Sequence, residues 1–332
     1  VYPGELSFRQ NRKSKRYKNV FSSDTKCGIL SNVVLKTTYN RWWKKKVWFG
    51  RKDMSYKVIV DSCGEFTPEM KADGGFEHVA LGIQIEDTQW TDDDSLKQEE
   101  LLLKIAESTS CAKTSCPSPE RYMESYHCDA ERIYVVTLSA ELSGSYNSAV
   151  LGKNLYEEEY GEKQIHVFNS RSASVGETLI ALKVQQCEKA GMTFEEVVES
   201  VECYIEEQHT YFVLENLDTL RKNGRLTGIK SLVAGALNIK PIMGSTPQGT
   251  ICQKEKARGM KKALVKMADC VAADVVNAGD KILAIAHCNC EERAKEVQRL
   301  LKERFAVKSS FIVDTSGIST VYANDGGIIV VV

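Results

Sequence analysis

The chain has 332 residues, 42% of them hydrophobic, with a formal net charge of -1, enough for one large or two ordinary domains with real cores. The charge is uneven: residues 1–53 carry 14 Lys and Arg against three acids, which leaves 30 basic and 42 acidic residues in 54–332. That acidic body argues against nucleic-acid binding, because neutralising phosphates needs clustered Lys and Arg.

No apolar run reaches the ~18 residues of a membrane-spanning helix, and the N-terminus lacks the apolar core of a signal peptide. The 11 scattered cysteines suit reduced thiols in a cytoplasmic protein better than a disulfide framework.

Residues 1–54 form a basic leader rich in Ser, Asn, Lys and Arg, with Arg41-Trp42-Trp43-Lys44-Lys45-Lys46 near its end. Interleaved cations and aromatics can bind single-stranded nucleic acid or a membrane surface. The plainer reading is a disordered leader. A third is a non-native one: Gly50-Arg51-Lys52-Asp53 before Met54 is encodable by a purine-rich ribosome-binding stretch, and translation is then expected to start at Met54.

From residue 56 strands and helices alternate. Strands are expected at 57–62, 79–85, 132–138 and 164–169, and helices at 96–108, 145–160, 172–190 and from Thr193 onward. This order implies crossover connections and a parallel sheet. A second unit is expected from 206. It has a strand at 210–214, helices at 217–225 and 229–237, a hairpin around Pro247-Gln248-Gly249, a helix at 258–276, a strand at 282–286, a helix at 291–305, and strands at 311–313 and 328–332. The expected fold is α/β with two domains: a parallel-sheet domain over 55–205 and a two-layer α/β domain over 206–332.

Four constellations could carry chemistry. In Thr114-Ser115-Cys116-Pro117-Ser118-Pro119 the prolines keep Thr114 and Ser115 extended. The two hydroxyls could face a ligand, or the segment could simply cap a helix at Pro119. Ser143-Gly144-Ser145 follows an apolar strand and opens a helix. That is where open α/β sheets bind ligands and where backbone N–H groups attract anions. The turn holds no Lys or Arg, which favours a carboxylate over a polyphosphate; an ST-turn with a cap is the plainer use.

His287, ending a strand in Ala286-His287-Cys288-Asn289-Cys290, could face a cleft as a donor or base. It lacks the paired spacing of a zinc site. Arg225, beyond the glycine of Arg221-Lys222-Asn223-Gly224-Arg225, could clamp an anion. A hydrolase using Ser143 with His287 is the competing enzymatic reading, although no G-x-S-x-G elbow is present. No Walker or G-x-G-x-x-G motif calls for a nucleotide, and no cofactor or metal is expected.

Several segments in order resemble the DegV family, which includes the fatty-acid-binding subunit of bacterial fatty acid kinase. They are Val60-Asp61-Ser62, Thr114-Ser115-Cys116-Pro117-Ser118, Leu142-Ser143-Gly144-Ser145-Tyr146, Asn169-Ser170-Arg171-Ser172-Ala173-Ser174, Leu220-Arg221-Lys222-Asn223-Gly224-Arg225-Leu226, Leu237-Asn238-Ile239-Lys240-Pro241-Ile242 and Lys256-Ala257-Arg258-Gly259. The resemblance covers about 56–332.

It implies a monomeric lipid-binding protein, not itself an enzyme, that encloses one long-chain fatty acid between two domains. Thr114, Ser115, Ser143 and the Gly144 N–H would hold the carboxylate, with Arg225 and His287 near the head group. A separate ATP-binding kinase subunit would phosphorylate the acid, and the resemblance leaves room for transient membrane contact. Ile229, Leu232, Val233 and Leu237 could line the tunnel or pack a core. Two departures stand out. Cys116 occupies a position that is usually Gln. Tyr322-Ala323-Asn324-Asp325-Gly326-Gly327 stands where the family usually has a His-x-Gly-Pro-Gly segment.

Overall fold

The computed structural model describes residues 56–226 and 238–332. The leader and the helix expected at 229–237, with its proposed tunnel-lining residues, lie outside the described residues.

Strands β1 (Tyr56–Asp61), β2 (Phe76–Val79), β6 (Arg132–Thr137) and β7 (Gln164–Asn169) build a parallel sheet in the order β2-β1-β6-β7. Its middle strands are continuous β-branched and aromatic runs; all six residues of β6 are buried, as expected of a strand covered on both faces. Two apolar clusters cover it. One packs Val58, Val60, Tyr134 and Phe168 against Ile180, Val184 and Val197. The other packs Ile59, Val135 and Val167 against Tyr122, Tyr126 and Ala149. The chain runs from β1 outward to β2 on one side and resumes at β6 on the other, so the strand order reverses between β1 and β6. Ligand crevices of open α/β sheets lie beyond the C-terminal ends of such a strand pair.

A six-stranded mixed sheet follows in the order β10-β9-β8-β13-β11-β12. Its strands are β8 (Thr210–Val213), β9 (Ile239–Ser245), β10 (Ile251–Arg258), β11 (Ile282–His287), β12 (Ser309–Asp314) and β13 (Ile328–Val331). The expected hairpin at 247–249 is the β9–β10 connection, antiparallel in register. A third, antiparallel sheet has the order β4-β3-β5, from β3 (Gly82–Ile85), β4 (Thr88–Thr91) and β5 (Lys113–Ser115).

This third sheet corrects two expectations. The single strand expected at 79–85 is two strands in different sheets, β2 and β3. The chain leaves the parallel ladder where the Leu81 N–H donates to the Ser62 hydroxyl at 3.0 Å. The segment at 113–115, expected as a loop, is a short strand that pairs Thr114 with Ile83. The helix expected at 217–225 is also shorter, Asp218–Lys222, and ends at Asn223 before Gly224 with φ +74°.

The helix Val175–Lys189 packs Val175 and Leu179 against Ala284, Ala286 and Val331 of the mixed sheet, and hydrogen bonds add to this seam. The Ser172 and Thr210 hydroxyls lie 2.6 Å apart. The tip of the β9–β10 hairpin rests on the loop after β6, where the Ser139 hydroxyl donates to the Gly249 carbonyl at 2.9 Å. Gly249 has φ +89°, and a Cβ there would lie 2.3 Å from the Ser139 oxygen. Only glycine permits this seating.

Candidate functional site

A cavity of about 330 Å³ opens at the switch point. Its wall comes from all three sheets: Thr114 from β5, Leu138 and Leu142 from the connection after β6, Phe212 from β8, Ile251 from β10 and Ile329 from β13. Of the six residues singled out from the sequence, Thr114, Ser115, Ser143, Gly144 and Arg225 line it together.

Local chemistry fixes the polar wall. Ser143 and Gly144 precede the helix Ser145–Tyr160, with Gly144 at its N-cap. The Ser143 oxygen accepts the Ser145 N–H at 3.2 Å, which leaves its own hydrogen free to donate. A Cβ at Gly144 would lie 3.1 Å from the Cys116 sulfur, so the 114–116 and 143–144 segments are neighbours and glycine keeps the gap between them open. The expected cap at Ser118 is present as well: its hydroxyl accepts the Arg121 N–H at 3.3 Å. The capping role therefore belongs to Ser118, and Thr114 and Ser115 face the cavity.

Thr114 and Tyr322 exchange a hydroxyl hydrogen bond at 2.8 Å. The Arg225 Nε donates to the Leu142 carbonyl at 3.1 Å, and its guanidinium also bonds the Asn223 carbonyl. Arg225 thus buttresses the segment that leads into Ser143.

His287 corrects the expectation. It does not line this cavity. It lines a second one of about 650 Å³ with Glu65, His78, Asp92, Asp314 and Ser316. There its Nδ1 lies 3.1 Å from the Asp314 carboxylate and accepts the Cys290 N–H at 3.3 Å. Strand order explains the separation. The first cavity is lined from β8, β9, β10 and β13, and the second from β11 and β12, beyond them in the sheet. Ser143 and His287 therefore form no nucleophile–base pair, and the hydrolase reading loses its base.

Burial controls the titration of the second cavity. Desolvation raises Glu65 to about 7 and Asp92 to about 6, and lowers His78 to about 4. Asp92 accepts the Gly317 and Ile318 N–H groups at 2.7 and 2.9 Å. It so anchors the start of the helix Gly317–Ala323, which carries Ile318, Ser319 and Tyr322 into the first cavity.

Sequence reasoning missed Tyr322 as a site residue, seeing only that the segment departs from its family. The signal available was a phenol in place of an expected polar side chain.

The uncharacterised-protein DegV family model matches residues 55–332. The chain belongs to the DegV family. A DegV domain-containing protein of Streptococcus pneumoniae is 34% identical over 280 residues, covering 83% of this chain and 98% of the relative. Among solved structures, a DegV family protein from Ruminococcus gnavus, refined with vaccenic acid, is 99% identical, with a TM-score of 0.83 over 84% of this chain and all of that one. The Streptococcus pneumoniae fatty acid kinase B3 protein, loaded with linoleic acid, is 34% identical, with a TM-score of 0.76 over 84% of this chain and 99% of that one. No helix among the described residues of this DegV chain is long and apolar enough to cross a membrane.

Proposed function

We propose that this DegV chain binds one long-chain fatty acid in the cavity at the switch point. It presents the carboxylate to the ATP-binding subunit of a fatty acid kinase, which makes the acyl phosphate. The chain acts in the cytoplasm as a monomeric carrier and performs no chemistry itself. One observation carries the reading: an apolar cavity meets a cluster of uncharged donors at Thr114, Ser115, Ser143 and Gly144.

The energetics suit such a ligand. Burying about 15 methylenes is worth roughly 12 kcal/mol at ~0.8 kcal/mol each, less the lost motional freedom and head-group desolvation. Hydroxyls can hold the head group in either protonation state, so the tail sets affinity and the donors set its register. Tyr322 holds the Thr114 hydroxyl in place, and Arg225 steadies the turn that carries Ser143.

Native mass spectrometry of the full chain tests the binding. The expected result is a co-purifying mass equal to that of a long-chain fatty acid. Protein that arrives empty and takes up neither added palmitate nor oleate would overturn the proposal. With kinase subunit and ATP present, hydroxylamine should trap the bound acid as its hydroxamate.

A further inference from the structure

Beneath the Ser143–Gly144 turn lies a buried pair of acids that the binding reading does not use. Asp61 ends β1 and is fully buried. Its Oδ1 accepts the Cys63 N–H at 3.1 Å, and its Oδ2 accepts the Leu138 N–H at 2.9 Å and the Ser145 O–H at 2.6 Å. Because Ser145 spends its only hydroxyl hydrogen on Asp61, the Tyr122 hydroxyl, 2.6 Å away, must donate to Ser145. Asp61 therefore ties together the end of β1, the end of β6 and the first turn of the helix behind Ser143.

Glu177, on the helix Val175–Lys189, is also fully buried, and no N–H or O–H group donates to either of its carboxyl oxygens; beside them are the weak Cys63 thiol and the Asp61 carboxyl. Ligand atoms of Asp61, Cys63 and Glu177 lie within 4.8 Å of one another. The titratable groups facing the pair are Cys63, Glu65, Asp92 and Tyr122, none of them a cation. Two adjacent carboxylates cannot both ionise without a countercharge. Asp61, with three donors, is the better anion. Glu177, with only the weak Cys63 thiol beside it, is the better acid, and Asp61 Oδ1 has room for one more donor.

We propose that Glu177 carries a proton shared with Asp61, and that this acid pair is the positioning device that holds the Ser143–Gly144–Ser145 turn in its ligand-binding form. Burial, followed by the charge of Asp61, pushes the Glu177 carboxyl well above the usual carboxylate range. A metal ion on Asp61, Cys63 and Glu177 is the competing use of the cluster. The three donors already on Asp61 argue against it.

The role of the turn rests on the fatty-acid reading, whereas the proton can be tested without it. Infrared difference spectra of the full chain at neutral pH should contain a protonated-carboxyl stretch that Glu177→Gln removes. Its absence would overturn the proposal whether or not the protein binds lipid. The unfolded chain releases this proton at ordinary carboxylate pH and the folded chain at higher pH. Wild-type stability should therefore fall as pH rises across that interval, and Glu177→Gln should flatten the fall.

For the ligand, fatty-acid dissociation from wild type should accelerate roughly fivefold or more from neutral to alkaline pH, the scale of ordinary site coupling. Glu177→Gln, which keeps a donor, should abolish that acceleration. Glu177→Leu, which does not, should release fatty acid faster at every pH. A Gln variant with the wild-type pH profile, or stoichiometric metal in elemental analysis of the purified protein, would sink the idea.

Discussion

The two cavities share walls and have opposite characters. The turn after β1 gives Cys63 to the first and Ser62 and Glu65 to the second; the helix Gly317–Ala323 gives Tyr322 to the first and Gly317 to the second. The first is mostly apolar, with a few hydroxyls and the side chains of Arg171 and Arg225. The second is crowded with acids and imidazoles, which are largely occupied with one another and with backbone. Asp92 caps a helix, Glu65 accepts the Ser174 hydroxyl at 2.8 Å, and His287 Nδ1 is taken up by the Cys290 N–H, beside the Asp314 carboxylate. Rich polar chemistry is thus a poor guide to open, uncommitted surface. The polar side of this wall is scaffold, and the sparse side has surface to offer.

Mutations on the two sides should separate these roles. Asp92→Ala strips two buried N–H groups of their acceptor and should cost about 2–6 kcal/mol of stability at ~1–3 per unsatisfied group. Urea unfolding measures it, and fatty-acid retention should fall with it because Tyr322 loses its support. A neutral effect would mean that the second cavity does not buttress the first. Thr114→Ala and Ser143→Ala should each weaken fatty-acid affinity by ~1–3 kcal/mol while leaving the unfolding midpoint nearly unchanged. Displacement of a fluorescent fatty acid checks this, and unchanged affinity in both variants would remove the head-group assignment. The smallest effect is expected at His287→Ala, with affinity shifted by less than about 0.5 kcal/mol, as for residues that do not share a site. A loss equal to that of Ser143→Ala in the same assay would return the imidazole to the ligand.

Much of the architecture was legible from the sequence because it is local. The β-branched runs at 57–61 and 132–137 could only be buried strands. The helix expected from Thr193 onward formed with Thr193 at its cap, where Thr193 accepts the Glu196 N–H and Glu196 accepts the Thr193 N–H. The serine turn after β6 lines a cavity, as its place between strand and helix suggests. Ser143 and Gly144 were found for the same reason, since they sit between a strand and a helix whose types the pattern declares; Thr114 and Ser115 instead owe their place to β5, a strand the pattern did not show.

Sheet order is a different kind of information. His287 ends a strand just as the Ser143 turn does, and nothing in its neighbourhood reveals that β13 lies between β11 and β8. The same holds for Tyr322 on Thr114 and for Glu177 beside Asp61, pairs separated by 208 and 116 positions. Hydrophobic period and turn chemistry act over a few residues, so the sequence by itself determined most of the elements, the fold class and the hydroxyl-rich chemistry of the serine turn. Which strand ends share a crevice, and which acids must share a proton, was decided only by long-range packing.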